Sequence, residues 1–504
     1  MGFVADARGR RSHTILQHAL TAVANLSHRG AVAADGKTGD GAGVMTQLPY
    51  AVLRRDLDIR APDDHLAVGM CFLPAALRDR ERAMALVQEV IAQTGLRLVG
   101  WRDVPTDPDA LGDHARATQP HIAQVVVAQP GTMAGDAFDR ALYLCRRWIE
   151  RRAGEAGLAL YVPSCSRRTV VYKALLTSPW LSRFYRDLTD PIYETALAVF
   201  HQRYSTNTFP SWSLAQPFRF LAHNGEINTL GGNVHWMQAR DPELRAAVWG
   251  DRLRVLQPVI QEGGSDSAML DNVVELLTVS GRSLAHVLAM LVPAAWEAED
   301  GLDEAVRGFY EYHACLTEPW DGPAALAFSD GVAVGAALDR NGLRPARFVR
   351  TKDDLIVMAS EAGVLDIAPE RILEKGRLGP GQMLVVDTAR GDVVRITRSR
   401  RRWPRFCPMG RGSAGISSGS GRCRSMVPVV TPRRRTSAPS DTRWRMWNAS
   451  SARWCRKGKT RSSPWGTTSP RLCSRLGRDS STSISSSGSP RSRIHPSIPS
   501  GNAP

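Results

Sequence analysis

An asparagine and a glycine at positions 224 and 225 follow a short apolar segment, residues 220–222, that predicts a strand. Glycine lets the backbone turn sharply and present its N–H group. The Gly225 N–H and the Asn224 side-chain amide would then be neighbouring hydrogen-bond donors, which is the composition of an oxyanion hole. The same dipeptide is the commonest signal for a β-hairpin turn, so the sequence leaves both interpretations open.

A second polar group follows the apolar run at 195–200, which predicts a buried strand. His201, Gln202 and Arg203 come directly after that run. A strand that ends in polar residues places their side chains at the rim of a sheet. We therefore expect ligand-accessible side chains where this strand ends.

Apolar periodicity along the first 395 residues indicates the elements that must position these groups. The predicted helices cover 15–26, with Ser12 as a possible cap, 79–94, 134–152, 181–188, 303–312, and a segment that opens at 263–268 and runs to 277. The predicted strands cover 2–5, 66–72, 122–128, 326–328, 332–338 and 355–360, together with 158–163 and 168–176, which we expect to form a strand pair.

Two segments carry a specific family resemblance. Residues 201–233 read HQRYSTNTFPSWSLAQPFRFLAHNGEINTLGGN, and residues 25–43 read NLSHRGAVAADGKTGDGAG. Both resemble the type 2 glutamine amidotransferase domain at the start of the glutamate synthase large chain, and the resemblance extends from Gly2 to about Val394. It implies an α+β fold, the αββα sandwich of the N-terminal-nucleophile hydrolases, over residues 1–395. It also implies removal of the amide nitrogen from glutamine.

The resemblance assigns roles to five residues. Asn224 and Gly225 match the oxyanion pair, Arg203 matches the arginine that takes the substrate α-carboxylate, and a planar guanidinium fork suits that task. Asp266 matches the residue that binds the α-amino group, and Arg29 matches an arginine of the glutamine pocket. The plainer alternatives are a helix cap at Asp266 and a solvated helix-end arginine at Arg29.

The nucleophile of the family is a cysteine in a Cys-Gly-x-Gly-Phe start, whose own amino group acts as the base. This chain begins Met1-Gly2-Phe3, and aligning Gly2-Phe3 on the family's Gly-Phe places the cysteine two residues before Met1. A start codon assigned too late explains the difference. Cys71 cannot substitute because it has no free amine beside it, so we expect the chain as written to be inactive in hydrolysis.

The basic charge of the chain is confined to its end. Residues 396–504 contain 23 Lys and Arg against 2 Asp and Glu, whereas the first 395 residues carry 42 against 47. We expect a disordered tail translated in the wrong frame, because synonymous codons for 396–409, read in another frame, can encode DHEIKAALAAFLPY, which is similar to the family's continuation. The alternative is a basic arm that binds nucleic acid.

The eight cysteines show no C-x-x-C pair and no zinc spacing. They favour reduced thiols and a cytoplasmic location. No apolar run reaches the ~18 residues of a membrane span, and no signal peptide is visible at the start. We therefore expect no membrane partner and no metal site.

The resemblance implies a larger enzyme around this chain. Ammonia released from L-glutamine would be used to make L-glutamate from 2-oxoglutarate on missing synthase domains that carry FMN and an iron–sulfur cluster. An NADPH-oxidising small subunit would supply electrons, and no cofactor is expected in this chain. Other readings are an amidotransferase of the phosphoribosylpyrophosphate or asparagine synthetase kind, which the long Gln-Pro-Phe-Arg and Gly-Gly-Ser-Asp-Ser segments oppose, a non-catalytic glutamine-binding remnant, or a basic-tail binding protein.

Overall fold

The computed structural model describes residues 1–131, 133, 135–203, 210–297, 299 and 301–396. The predictions for the tail at 397–504, and the polar residues at 204–209, lie outside this part of the chain. Its α-helices are α1 His13–Ala24, α2 Tyr50–Asp56, α3 Leu77–Gln93, α4 Asp113–Ala117, α5 Asp136–Glu155, α6 Leu181–Phe184, α7 Leu230–Arg240, α8 Asp266–Val279, α9 Leu284–Leu291 and α10 Glu304–Ala314.

The strands form three antiparallel sheets. They are β1 Gly2–Asp6, β2 Ala42–Gln47, β3 Leu66–Leu73, β4 Arg97–Asp103, β5 His121–Ala128, β6 Tyr161–Ser166, β7 Thr169–Ala174, β8 Leu197–Gln202, β9 Leu221–Gly225, β10 Ala324–Ser329, β11 Ala333–Leu338, β12 Arg347–Thr351, β13 Leu355–Ala359, β14 Ile372–Arg377, β15 Met383–Asp387 and β16 Asp392–Ile396. The seven-stranded sheet has the order β14-β12-β13-β1-β8-β2-β7, the five-stranded sheet β16-β15-β11-β10-β9, and the four-stranded sheet β4-β5-β3-β6.

The first two sheets pack face to face. Alternate residues of β1 and β8, such as Phe3 and Val199, share one core with Ala222, Ala325 and Ala336 of the five-stranded sheet. Because side chains alternate along a strand, the intervening residues point outward and are covered by helices. The small alanines allow the two sheets to approach closely.

Helices cover both outer faces of this sandwich. Leu16 and Val23 of α1 pack with Phe200 on the seven-stranded sheet. Helices α8 to α10 cover the five-stranded sheet, where Leu270 and Phe309 share a core with strand residues. These layers give the order helix–sheet–sheet–helix, and the predicted α+β sandwich is confirmed.

The predicted strand pair at 158–163 and 168–176 is wrong. The two strands form as β6 and β7, but β6 pairs with β3 in the four-stranded sheet and β7 pairs with β2 in the seven-stranded sheet. A turn at Arg167 and Arg168 passes the chain from one sheet to the other. The four-stranded sheet, with α3 and α5 packed on it, is an addition that the sequence did not predict. Ser12 precedes α1 but its side chain makes no capping hydrogen bond.

Two buried histidines meet between α9 and α10. The His286 and His313 Nε2 atoms are 2.9 Å apart, and His313 Nδ1 donates to the Phe309 carbonyl at 2.7 Å. Burial lowers the pKa of His286 to about 3, and the neighbouring His313 and Arg282 act in the same direction. Burial also lowers the pKa of His313.

This pair predicts a loss of stability in acid. Below pH ~6.5 the unfolded chain takes up a proton that folded His286 refuses, so the free energy of unfolding falls progressively from there down to about pH 3. The contribution of His286 reaches about 2 kcal/mol at pH 5. Urea denaturation from pH 5 to 8 should show a flatter pH dependence for His286→Phe than for the wild type. The exposed His235→Phe should keep the wild-type slope, and an equal slope in both variants would contradict the prediction.

Candidate active site

The ends of β8 and β9 are joined across the two sheets of the sandwich. His201 donates a hydrogen bond from Nε2 to the main-chain carbonyl of His223 at 3.0 Å. Arg203 follows two residues after the first histidine, and Asn224 and Gly225 follow directly after the second. The two polar rims that the sequence indicates separately therefore lie at one place.

The start of β1 lies beside this junction. Strand β1 pairs with β8 on one side and β13 on the other, with Gly2 opposite Phe200 and Ala359. The Met1 amine is buried and donates to Ser360 Oγ at 3.1 Å. Burial lowers the pKa of this amine to about 5, while the nearby Glu361 acts to raise it.

Asn224 and Gly225 belong to a strand and not to a hairpin turn. They are the last residues of β9, opposite Ala325 and Ala324 of β10, so the hairpin alternative is wrong. Added at Gly225, a Cβ would lie 1.9 Å from the Pro323 carbonyl oxygen. Only glycine therefore fits this close approach of two strands.

The donors of these two residues are directed to the open edge of β9. The His223 N–H donates to Gln216 Oε1 at 2.7 Å, on the side away from β10. Because hydrogen-bonding direction alternates along an antiparallel strand, the Gly225 N–H faces the same edge. Among the described residues, none accepts a hydrogen bond from the Asn224 side-chain amide. This arrangement is compatible with the predicted oxyanion role.

Asp266 lies at the first turn of α8, directly after the residue that caps the helix. The cap is Ser265, whose hydroxyl accepts from the Ala268 N–H at 3.2 Å. One Asp266 oxygen accepts from the Ser267 N–H and hydroxyl at 2.6 and 3.0 Å, and the other accepts from the Ile227 N–H at 3.1 Å. The carboxylate is thus fixed beside β9, and the capping alternative belongs to its neighbour.

A short polar chain connects Asp266 to β9. The hydroxyl of Ser267 donates to Asp266 and lies 2.8 Å from His223 Nδ1. Burial lowers the pKa of His223, against the opposing effect of the Asp266 carboxylate. The imidazole is therefore held neutral, and its orientation fixes the backbone that carries Asn224.

The two predicted arginines are half exposed and each faces a carboxylate. Arg203 Nε lies 3.5 Å from Asp40, and Arg29 Nε lies 2.6 Å from Glu361. Arg203 also has a φ of +100°, which is uncommon for a residue with a side chain and concentrates at functional positions. Its guanidinium can exchange the long contact to Asp40 for a ligand carboxylate.

Sequence reasoning missed the histidine and amide groups that hold the site together. Gln216 brackets the His223 peptide, since its Nε2 also donates to the His223 carbonyl at 3.2 Å. Gln202 Nε2 and His223 Nε2 are buried without a hydrogen-bond partner in the described chain, which is uncommon away from functional sites. The available signal was a histidine beside each polar strand end, in His-Gln-Arg and His-Asn-Gly.

A buried ion network fixes α8 against the segment before β9. The Asp271 carboxylate accepts from the Arg219 and Phe220 N–H groups at 3.1 and 2.9 Å. The Arg219 guanidinium lies 3.0 Å from Glu150 and 3.8 Å from Glu275. Burial raises the pKa of Asp271 and of Glu275, which the Arg219 cation opposes. The network thus joins α5, α8 and the entry to β9.

No cysteine of the described chain has the environment of a nucleophile. Burial raises the pKa of the Cys71 thiol to about 12, and a reactive cysteine needs a lowered pKa. No group of three or more His, Cys, Asp or Glu in the described ranges could hold a metal ion. No helix there is long and apolar enough to cross a membrane.

Comparison with known proteins agrees with this geometry. Residues 1–403 match the family model of class-II glutamine amidotransferases. The ferredoxin-dependent glutamate synthase 2 of Synechocystis sp. is 46% identical over 417 residues, which cover 81% of this chain and 27% of that protein. The glutamate synthase [NADPH] large chain of Bacillus subtilis is 41% identical over 397 residues, covering 78% of this chain and 26% of the relative.

The chain therefore spans about a quarter of the length of these relatives. Among solved structures, glutamine phosphoribosylpyrophosphate amidotransferase from B. subtilis gives a TM-score of 0.28 at 13% identity, over 66% of this chain and 50% of that one. The family match covers most of the chain and all of the site described above. The chain belongs to the class-II glutamine amidotransferases.

Proposed function

We propose that residues 1–395 are the glutamine amidotransferase part of a glutamate synthase large chain. The observation that carries this proposal is the identity of 41–46% to proteins of that name over about four fifths of the chain. The convergence of β8, β9, α8 and the start of β1 supports it, because it brings the predicted residues to one site. The reaction is hydrolysis of L-glutamine to L-glutamate and ammonia.

The register of β1 indicates where the nucleophile acts. Continued two residues before Met1, the pairing with β8 reaches Arg203 and the pairing with β13 reaches Ala362. A cysteine at that position would stand between the ends of β8 and β13, close to the predicted carboxylate-binding arginine. Its free amine would accept the thiol proton, as the family mechanism requires.

The chemistry then follows from the groups at the site. The thiolate adds to the amide carbon of glutamine, and the Gly225 N–H and Asn224 amide stabilise the negative oxygen of the tetrahedral intermediate. Collapse breaks the C–N bond and releases ammonia, which takes up the proton held by the amine. Water then hydrolyses the cysteinyl thioester to glutamate. Arg203 and Asp266 hold the α-carboxylate and α-amino groups, with Arg29 beside them.

The remaining parts of the proposal concern the whole protein. Ammonia would be used to form L-glutamate from 2-oxoglutarate on domains that carry FMN and an iron–sulfur cluster, outside the segment that this chain spans. NADPH, supplied through a small subunit, is the proposed donor after the Bacillus subtilis and Azospirillum brasilense relatives, and ferredoxin is the alternative from the Synechocystis relative. The four described cysteines are free, which supports a cytoplasmic location.

The test is a chain extended by Cys-Gly before Met1, with the cysteine exposed as the first residue. We expect this protein to release ammonia from L-glutamine in a coupled assay, and to do so at least about 10³-fold faster than an Ala-Gly extension, because only the first has a nucleophile. The Ala-Gly protein is the matched control for folding. Equal rates in both proteins, with both folded by circular dichroism, would overturn the site assignment.

A further inference from the structure

A cleft of about 330 Å³ lies at the edge of the seven-stranded sheet. One wall is formed by strands β12 to β14, and the other by the segment 361–367. Its strand residues face the same side of the sheet as Val357 and Ala359, which belong to the core under α1. The volume is at the lower end of the range of ligand pockets, ~300–1,000 Å³.

Three cations line this cleft from adjacent strands. Arg347 of β12 lies directly opposite Arg377 of β14, and Lys375 is opposite Val349. Because side chains alternate along a strand, all three cations lie on one face. The Leu378 N–H donates to the Ala346 carbonyl at 2.9 Å, so the two arginines form a non-hydrogen-bonded pair, the type in which opposite side chains lie closest.

Such an arrangement is unfavourable unless an anion balances it. Like charges directly opposite each other destabilise a sheet. Within the part of the chain that the structure describes, Arg347, Lys375 and Arg377 make no side-chain hydrogen bond or ion pair. On the other face of the same strands, by contrast, Arg395 is paired with Glu374 at 2.7 Å.

The one acidic residue among those that line the cleft is already engaged. The two carboxylate oxygens of Glu361 lie 2.6 Å from Arg29 Nε and 2.9 Å from His28 Nε2. The cleft is therefore positively charged without a protein counter-ion. Its remaining surface is largely apolar and includes Val349, Val357, Leu365 and Ile367.

We propose that this cleft binds a small organic anion. A carboxylate or phosphate group lies between Arg347 and Arg377, whose planar forks suit bidentate contacts, and Lys375 adds a third donor. The apolar part of the ligand packs on the valine and leucine wall. The site is separate from the predicted glutamine pocket and does not depend on hydrolysis.

Calorimetric titration of the full chain with phenyl phosphate tests the proposal. The wild type should bind it at a saturable site, and R347Q/R377Q should bind at least about tenfold more weakly, because two charged hydrogen-bond donors are lost. R78Q/R97Q removes the same charge from exposed positions on α3 and β4, and should bind as the wild type does. All three proteins contain the basic tail, so only their differences report the cleft.

Uncharged benzyl alcohol should not bind, and inorganic phosphate should bind more weakly than phenyl phosphate because it lacks the apolar part. A second measurement covers misfolding of the double variant. R377Q alone should raise the thermal midpoint of the ligand-free chain by relieving the like-charge pair. Equal affinity of R347Q/R377Q and the wild type, absence of saturable binding, or an unchanged or lowered midpoint in R377Q would each overturn the proposal.

Discussion

Replacing Asn224 by alanine in the Cys-Gly-extended chain is expected to lower kcat by about 10²–10³-fold. The side-chain amide lies next to the Gly225 N–H at the end of β9, and no described residue takes its hydrogen bond. It is therefore available to the oxygen that becomes negative in the tetrahedral intermediate. That oxygen carries little charge in the bound substrate, so KM should change much less than kcat.

Steady-state ammonia release at several glutamine concentrations separates the two constants. Asn341→Ala removes an asparagine from an exposed turn and is the matched control, with kcat and KM expected at the values of the extended chain. A fall confined to KM would assign Asn224 to substrate binding. An unchanged kcat would contradict the oxyanion role.

Arg219→Met is expected to lower the free energy of unfolding by about 3–5 kcal/mol at neutral pH. The substitution keeps an apolar stem but removes the cation that faces Glu150, Asp271 and Glu275. All four side chains are less than a tenth exposed. The remaining carboxylates would then be buried with fewer counter-charges than they need, whereas Arg146 can neutralise only part of the group.

Urea denaturation of the chain as it stands measures this loss. Arg60→Met is the control, because Arg60 pairs with Asp58 at the surface and should change stability by less than about 0.5 kcal/mol. The deficit of Arg219→Met should shrink from pH 7.5 to pH 5. Without Arg219 the pKa values of Asp271 and Glu275 rise further, and protonation removes the uncompensated charge. A deficit below about 1 kcal/mol would show that the network contributes little.

The effect of Arg219→Met should also reach the active site. Asp271 holds the main chain before β9, and it belongs to the same helix as Asp266. The network therefore fixes the two elements that carry the predicted oxyanion donors and the predicted amine-binding carboxylate. A 1 Å shift between them is enough to reduce a catalytic rate substantially.

The amino-acid sequence by itself determined the local elements of the site. The apolar run before His201 is a strand, Asn224 and Gly225 end the next one, and the helix after Ser265 begins with its cap. These features depend on side-chain period and capping chemistry within a few residues, so a single chain displays them. The roles of Arg29, Arg203 and Asp266 rest on the resemblance and stay predictions.

The tertiary structure decided which elements meet. The periodicity of β6 and β7 is the same whichever strand they pair with, and only contacts with β3 and β2 separate them into two sheets. The bond from His201 to His223 and the cross-strand pair of Arg347 and Arg377 likewise join residues far apart in the sequence. Such pairings are set by the packing of whole layers and have no local signal. For that reason the sequence showed which groups could act, and the fold alone showed which of them are neighbours.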